Sequence, residues 1–394
     1  MLIALALTAG CAEFARYPAG SQAPVPVGER PVLEPLHPNR FVVESAEVDV
    51  IGEPQVVLTA ETDTLSDLAR EYGLGYDEIV AANPGVNPWL PGEGTPVLLP
   101  TQYVLPDAPR EGLVLNIASK RVFYFPTLPI EHSEEDTSQI VLTFPIGIGR
   151  VGWETPLGES VIISKAKDPT WYVPASVRRE HAEMGDPLPS VVPPGPDNPL
   201  GTRVLKLDMP GYLLHGTNQP FGVGMRVSHG CVRLYPENIE YLYELVDIGE
   251  PVRIINEPYL LGRRDGEWYF ESHAPLEDDT VDPVERLDRL LASVEGRFPP
   301  AVQDHARSIA SIAHGMPVRL AQYDADEVLA RLRQVENTVE IDAEAPTLEE
   351  VREMIDEAVA EAEADELADQ LADPVADNPG SADTAAAPAA GEGT

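Results

Sequence analysis

The sequence predicts a mainly β protein: a β-sandwich or partly open barrel with one flanking helix, a small α+β (βααβ) module before it and an acidic helical tail, then disorder, after it. Three observations carry this. Short β-branched and aliphatic runs recur from 111 to 256, with glycine and proline between them. Residues 53–101 instead place two helical patterns between two strand patterns. From about residue 345 the chain turns acidic and then rich in Ala, Gly and Pro, a composition that cannot bury enough apolar surface to offset chain entropy.

A chain of 394 residues exceeds one ordinary domain, so two or three units are expected. Its 66 acidic against 27 basic residues, a formal net charge of −39, exclude a nucleic-acid partner, because such a surface repels phosphates. No internal apolar run approaches the ~20 residues that a membrane helix needs.

Residues 1–11 read as an export signal. The apolar stretch Met1 to Leu7 runs into Leu7-Thr8-Ala9-Gly10-Cys11, which resembles a bacterial lipobox whose cysteine becomes the acylated N-terminus. Thr8 stands where a branched aliphatic residue is usual, and a charged n-region is missing, as a start codon assigned too far downstream would produce. An ordinary cleaved signal is the alternative. Both readings export the protein, to the periplasm; in the first it is anchored to the outer membrane as a lipoprotein, its membrane contact a lipid on Cys11. Residues 12–52, with Pro18, Pro24, Pro26, Pro31, Pro35 and Pro38, read as an extended tether.

Between 53 and 101, Val57-Leu58 suits a strand. Asp63 or Thr64 can cap a helix carrying Leu65, Leu68 and Ala69 on one face, closed by Gly73. Tyr76-Asp77 opens a second helix that stops at Asn83-Pro84-Gly85, and Val97 to Leu99 forms a second strand. This order resembles the LysM module, which implies contact with glycan strands; a small adaptor without a ligand is the other reading.

From 111 to 256, Leu113 to Ile117 and Arg121 to Phe125 form a hairpin, and Ile140–Phe144, Ser160–Ser164, Val204–Leu207 and Tyr212–His215 are further strands. One helix follows, with Pro236 in its first turn and Ile239, Leu242, Tyr243 and Val246 on one face. Residues 257–278 read as a hairpin extension around Asp265-Gly266. Residues 279–344 read as amphipathic helices, and 345–394 as the acidic disordered tail.

Two segments carry the chemistry. His215-Gly216-Thr217 is followed, 16 positions after the histidine, by Cys231 within Ser228-His229-Gly230-Cys231-Val232-Arg233-Leu234. Glycines between them suit a loop that folds back and brings imidazole to sulfur. A free thiol has a pKa of about 8.5 and is a poor nucleophile until a neighbour takes its proton; an imidazole can draw it below neutrality. The remaining histidines are scattered without ligand spacing, so no metal and no cofactor is expected.

The stretch from Leu214 to Leu234 closely resembles the catalytic signature of the L,D-transpeptidase (YkuD) family, in its ErfK/YbiS/YcfS-like group. Ile146-Gly147-Ile148-Gly149, Thr155-Pro156-Leu157-Gly158, the Pro-rich segment Pro193 to Gly201 and the segment Leu105 to Arg110 match further motifs of that family. The resemblance implies that Cys231 is the nucleophile, His215 the general base, and the Gly216 carbonyl the group that fixes the imidazole tautomer. Backbone N–H groups of Gly230 and Cys231 are the candidate oxyanion donors, since glycine allows close approach. His229 is expected as an auxiliary donor, and Ser228 as a substrate contact beside it. Arg233 either clamps a substrate carboxylate or pairs with an acidic neighbour. Trp171 and Tyr172 either wall the cleft or pack into a core.

The reaction so implied is attack on the carbonyl between the third residue of a peptidoglycan stem tetrapeptide and D-Ala. A thioester forms and passes to an amine, from an outer-membrane lipoprotein lysine or a second stem, or to water. The alternatives are an L,D-carboxypeptidase working through the same thioester and a non-catalytic, glycan-binding envelope scaffold.

Overall fold

The computed structural model describes residues 39–43, 45–126, 139–294 and 300–320. These belong to one compact unit; a second unit, Leu128–Glu131 with Pro346–Thr394, lies outside the described residues, as do the Cys11 lipobox, the proline-rich part of the tether and the acidic tail.

A nine-stranded mixed sheet forms the centre. From one edge to the other run Asn39–Val43, Gln139–Pro145, Arg121–Phe125, Gly112–Asn116, Pro251–Ile255, Gly158–Lys167, Arg203–Leu207, Leu213–His215 and Val232–Arg233. Successive side chains on a strand point to opposite faces, and the hairpin of Gly112–Asn116 with Arg121–Phe125 uses both. Leu113, Leu115, Val122 and Tyr124 enter the main core with Leu205, Leu214 and Val232. Val114, Phe123 and Phe125 enter a second core that includes Leu65, Leu68, Leu74, Ile79, Val97 and Leu99. The helix Pro236–Leu245 starts at a proline, where the missing N–H costs nothing, and buries Ile239, Tyr241 and Leu242 against the sheet.

The second core belongs to a strand–helix–helix–strand module. Gln55–Leu58 pairs antiparallel with Pro96–Leu99, and the helices Leu65–Glu71 and Tyr76–Ala82 lie between them in sequence. Thr64 caps the first helix and forms a capping box with Asp67. Asn83, 7% exposed, ends the second: its amide donates to the carbonyls of Ile79 and Leu98 at 2.8 and 2.7 Å and accepts from Leu98 N–H at 2.7 Å. A buried polar side chain with all these bonds made ties helix to strand.

Charged groups join this module to the sheet. Arg121, 1% exposed, donates to Glu78 at 2.8 Å and to the Gly73 carbonyl at 3.1 Å, and its guanidinium lies 4.2 Å from the Tyr103 ring centroid. Glu78 also accepts from Gly75 N–H at the start of its own helix. Arg70 makes a more exposed bidentate pair with Glu237 at 2.8 Å.

The expected tether departs from its reading at its C-terminal end: Asn39–Val43 is the edge strand of the main sheet, and Val50–Gly52 pairs with Gln102–Val104. Proline runs out at Pro38, and the alternation Phe41, Val43 then lets one face of a strand pack into the second core. A further helix, Ala175–Glu183, stands where only irregular chain was expected. It buries Val177 alone, so it carried no amphipathic signature.

After the sheet, Tyr259–Arg264 and Glu267–Ser272 form a hairpin turning at Asp265 and Gly266, both with positive φ. Val318–Arg319 adds a third strand, and the helices Pro283–Ser293 and Pro300–Ile312 accompany it. The expected amphipathic segment around Val328, Leu329 and Leu332 lies outside the described residues.

Removing one partner of a buried ion pair leaves an uncompensated charge, at a cost of ~3–5 kcal/mol, whereas an exposed pair contributes ~0–1 kcal/mol. Glu78→Ala is therefore expected to lower unfolding free energy several times more than Arg70→Ala, as read by chemical denaturation. Equal losses would show that Arg121 is not the main fastening.

Candidate active site

Pairing between the last two strands brings the two distant segments together. Leu213–His215 and Val232–Arg233 run parallel, with Leu214 opposite Val232 and His215 opposite Arg233; Leu234 N–H donates to the His215 carbonyl at 2.9 Å. Leu214 and Val232, 0% and 1% exposed, face the main core. By alternation His215 and Arg233 face the other way; Cys231 lies just before the second strand, after Gly230 at φ +98, and the Arg233 charge acts on both His215 and Cys231. The carbonyl of Gly211, on the chain leading into the histidine strand, lies 3.6 Å from Cys231 Sγ and accepts from the thiol.

His215 is 5% exposed. Its Nδ1 lies 2.6 Å from the Gly216 carbonyl oxygen; a carbonyl only accepts, so Nδ1 carries the hydrogen and Nε2 is left with the lone pair that takes a proton. Gly216 has little room for anything larger, since a Cβ there would stand 3.0 Å from Ile239 and 3.4 Å from the Leu200 carbonyl. Burial, reinforced by the Arg233 charge, lowers the His215 pKa to about 4, against which the Gly216 bond acts.

Burial pushes the Cys231 pKa up, and the Leu213 backbone and the Arg233 charge only moderate this. An imidazole that is neutral at pH 7 supplies no positive charge to draw the thiol down. The resting pair is thus neutral thiol and neutral imidazole. Neutral groups of this kind suit general-base chemistry, in which a proton leaves sulfur as the sulfur attacks.

Arg233 is largely buried, and burial lowers its pKa. Its backbone exchanges two hydrogen bonds with Gly147, at 2.8 and 2.9 Å. Its side chain runs under Gly222, where a Cβ would come 2.9 Å from a guanidinium nitrogen. Among the described residues no carboxylate pairs with it, and its Nε is buried without a hydrogen-bond partner. Of the two sequence readings, the structural ion pair has no partner here.

The turn before the cysteine is organised internally. Ser228, 4% exposed, donates its hydroxyl to the Cys231 carbonyl at 2.5 Å and accepts from Gly230 N–H at 3.2 Å. The expected substrate contact at Ser228 is therefore spent within the turn, and the Gly230 N–H is occupied rather than free for an oxyanion. Gly230 has φ +98, and a Cβ there would meet Tyr212 at 2.9 Å; both conditions select glycine.

His229 is engaged by groups other than the thiol. Its Nε2 lies 2.7 Å from a Glu180 carboxylate oxygen and 3.2 Å from an Arg150 nitrogen, while Arg150 also pairs with Glu180. Trp153 packs edge-on against its ring, with centroids 4.8 Å apart. Glu180 belongs to the helix Ala175–Glu183, so this cluster fastens that helix to the catalytic turn. Sequence reasoning missed Glu180 and Arg150, since nothing in their spacing relates them to position 229. Trp171 is half-buried and Tyr172 is 75% exposed, on a short strand paired with Val191–Val192; Asn198 of the Pro-rich segment, wholly buried, donates to the Pro169 carbonyl at 2.7 Å.

Because the thiol pKa is raised, alkylation of Cys231 by iodoacetamide is expected to be still climbing with pH at about 9, where an ordinary thiol of pKa about 8.5 is levelling off. His215 stays neutral until pH falls to about 4, so the acid limb of kcat/KM is expected near 4 rather than near the usual histidine value of about 6.5. An alkylation plateau below neutrality would instead indicate a preformed thiolate–imidazolium pair.

Residues 113–254 match the YkuD family, described as the L,D-transpeptidase catalytic domain. Over 298 residues the chain is 37% identical to the probable L,D-transpeptidase YcfS of Escherichia coli K12, covering 73% of this chain and 90% of that protein. The probable L,D-transpeptidase YbiS of the same organism is 39% identical over 284 residues, covering 69% of this chain and 88% of that protein. Its probable L,D-transpeptidase ErfK/SrfK is 36% identical over 301 residues, with coverage of 74% and 91%. With an imidazole on one of two paired strands and a thiol just before the other, and this likeness along most of the relatives' length, the chain belongs to the L,D-transpeptidase family.

Proposed function

We propose that this enzyme is an exported, periplasmic peptidoglycan L,D-transpeptidase that works through a thioester on Cys231. The observation that carries the reading is the parallel pairing of Leu213–His215 with Val232–Arg233, together with the Nδ1 bond to Gly216 that leaves Nε2 free to take a proton.

The donor is the stem tetrapeptide. Cys231 Sγ attacks the carbonyl between its third residue and D-Ala while His215 Nε2 takes the thiol proton. The developing oxyanion faces the Cys231 N–H; a well-placed donor of this kind is worth ~3 kcal/mol of barrier. The C–N bond then breaks, the D-Ala nitrogen takes the proton from His215, and a thioester remains. An acceptor amine attacks the thioester, His215 removes its excess proton, and the thiol is restored. The acceptor is an amine of a second stem or a lysine of an outer-membrane lipoprotein.

Arg233 supports recognition of the donor. A buried guanidinium with no carboxylate partner among the described residues, close enough for its charge to act on Cys231, suits a stem-peptide carboxylate, which would complete a charge-assisted pair. His229, held by Glu180 and Arg150, sets the turn from the other side. The βααβ arrangement of residues 55–99 supports a LysM reading in which the module contacts glycan strands. Export and a lipid anchor on Cys11 rest on the leader sequence; no helix among the described residues is long and apolar enough to cross a membrane.

Muropeptide mass spectrometry on purified sacculi treated with the enzyme tests this. Cross-linked or lipoprotein-linked products with release of D-Ala are expected, and Cys231→Ala is expected to abolish both. Tripeptide alone would establish a carboxypeptidase, and unchanged muropeptides a non-catalytic scaffold. Arg233→Met is expected to raise KM for tetrapeptide roughly tenfold, about 1.4 kcal/mol, while leaving Cys231 open to alkylation; an unchanged KM would remove Arg233 from donor recognition.

A further inference from the structure

The oxyanion donor poses a geometric problem that the turn itself does not solve. Gly230 N–H is bound to Ser228, which leaves the N–H of Cys231 to face the developing charge. That N–H belongs to the peptide unit between Gly230 and Cys231. A glycine on one side makes the unit easy to rotate, because glycine populates conformations closed to other residues. An unanchored unit here could turn its N–H away at little cost.

Thr155 anchors it. This residue is 5% exposed, and its hydroxyl donates to the Gly230 carbonyl at 3.0 Å. The same oxygen accepts from Gly149 N–H at 2.9 Å, which fixes the direction in which its own hydrogen can point. Described peptide bonds are all trans, so carbonyl and N–H of one unit point in opposite directions. Holding the Gly230 oxygen on one side therefore aims the Cys231 N–H to the other. Gly149 is itself closely enclosed: a Cβ there would overlap the Trp153 carbonyl at 2.0 Å, and the strand Ile148–Gly149 pairs with Arg226–Ser228. Arg226 reinforces that strand, donating to the Gly149 carbonyl at 3.2 Å while Asp278 holds its guanidinium through two bonds of 2.9 and 2.7 Å.

We infer that Thr155 is a positioning residue for acyl transfer, its hydroxyl holding the Gly230–Cys231 peptide so that the Cys231 N–H meets the oxyanion. This rests on the acyl-transfer reading above, and no other part of that reading requires Thr155. It makes a distinction between two reactions of one sulfur. Acylation passes through an oxyanion and needs the donor. Alkylation by iodoacetamide forms an S–C bond as iodide leaves, develops no oxyanion and does not need it.

The test compares full-length wild type, Thr155→Val and Thr155→Ser. Valine keeps the shape and removes the hydroxyl; serine restores it. Four quantities are read: kcat and KM for D-Ala release from tetrapeptide, the alkylation rate with iodoacetamide, and Tm. The valine variant is expected to lose kcat by roughly 10–100-fold, with KM and the alkylation rate near wild type, and serine is expected to recover most of the loss. Wild-type kcat in Thr155→Val, a parallel fall in alkylation and acylation, or failure of serine to recover activity would each overturn the positioning role. Wild-type protein that releases no D-Ala would overturn the acyl-transfer reading together with it.

Discussion

Parallel pairing of two short strands is the constraint on which the site depends. Leu213–His215 and Val232–Arg233 contribute few hydrogen bonds, yet they place His215 beside Arg233, 18 positions on, and so bring the two segments together. Register matters as much as proximity, because a slip of one residue turns every side chain to the opposite face. Leu214 and Val232 prevent that slip: both are sealed in the main core, so His215 and Arg233 have to occupy the other side, with Cys231 just before that strand. The core therefore specifies the site, and the chemistry follows from which residues are left over.

Burial then sets the proton inventory. The same packing that orients the histidine removes water from it, and its pKa falls to about 4, while the thiol's rises. Both changes favour neutral forms. A preformed ion pair would need two charges held in a low-dielectric pocket, and the nearby guanidinium of Arg233 already disfavours a second cation at His215. Neutral partners with the lone pair on Nε2 are what a general base requires, and a single bond from Nδ1 to the Gly216 carbonyl selects that tautomer without a carboxylate. The appended parts add rigidity around this arrangement. Tyr76 N–H in the N-terminal module donates to the Val223 carbonyl at 3.2 Å, on the loop between His215 and Cys231, and Asp278 beyond the sheet holds Arg226 on the same loop.

What could be read from the sequence was what repeats or what has a motif. Alternation in Leu113 to Phe125 and the helical face Ile239, Leu242 are local signals, and each has one physical outcome. The histidine–cysteine spacing was legible for the same reason, since glycines between two reactive residues suggest a fold-back. The interactions at distance were not. Glu180 meets His229 only because a helix with almost no apolar face lies over the turn, and Arg121 reaches Glu78 only because two cores share a hairpin. Nor does a spacing reveal how much water a site retains, and here burial raises the thiol pKa and lowers the imidazole's. The occupied Gly230 N–H belongs to the same class: which of two adjacent amides is free depends on a serine hydroxyl that could equally have faced a substrate.

The most direct test of the neutral-pair, thioester account is intact-protein mass spectrometry of the full-length enzyme with stem tetrapeptide and no acceptor, followed by peptide mapping. The account predicts an adduct on Cys231 with the mass of the tetrapeptide less D-Ala, formed with undiminished efficiency between pH 5 and 7 because His215 stays neutral to about 4, and absent in His215→Ala. An adduct that forms equally without the imidazole, or that vanishes as pH falls through about 6.5, would contradict it.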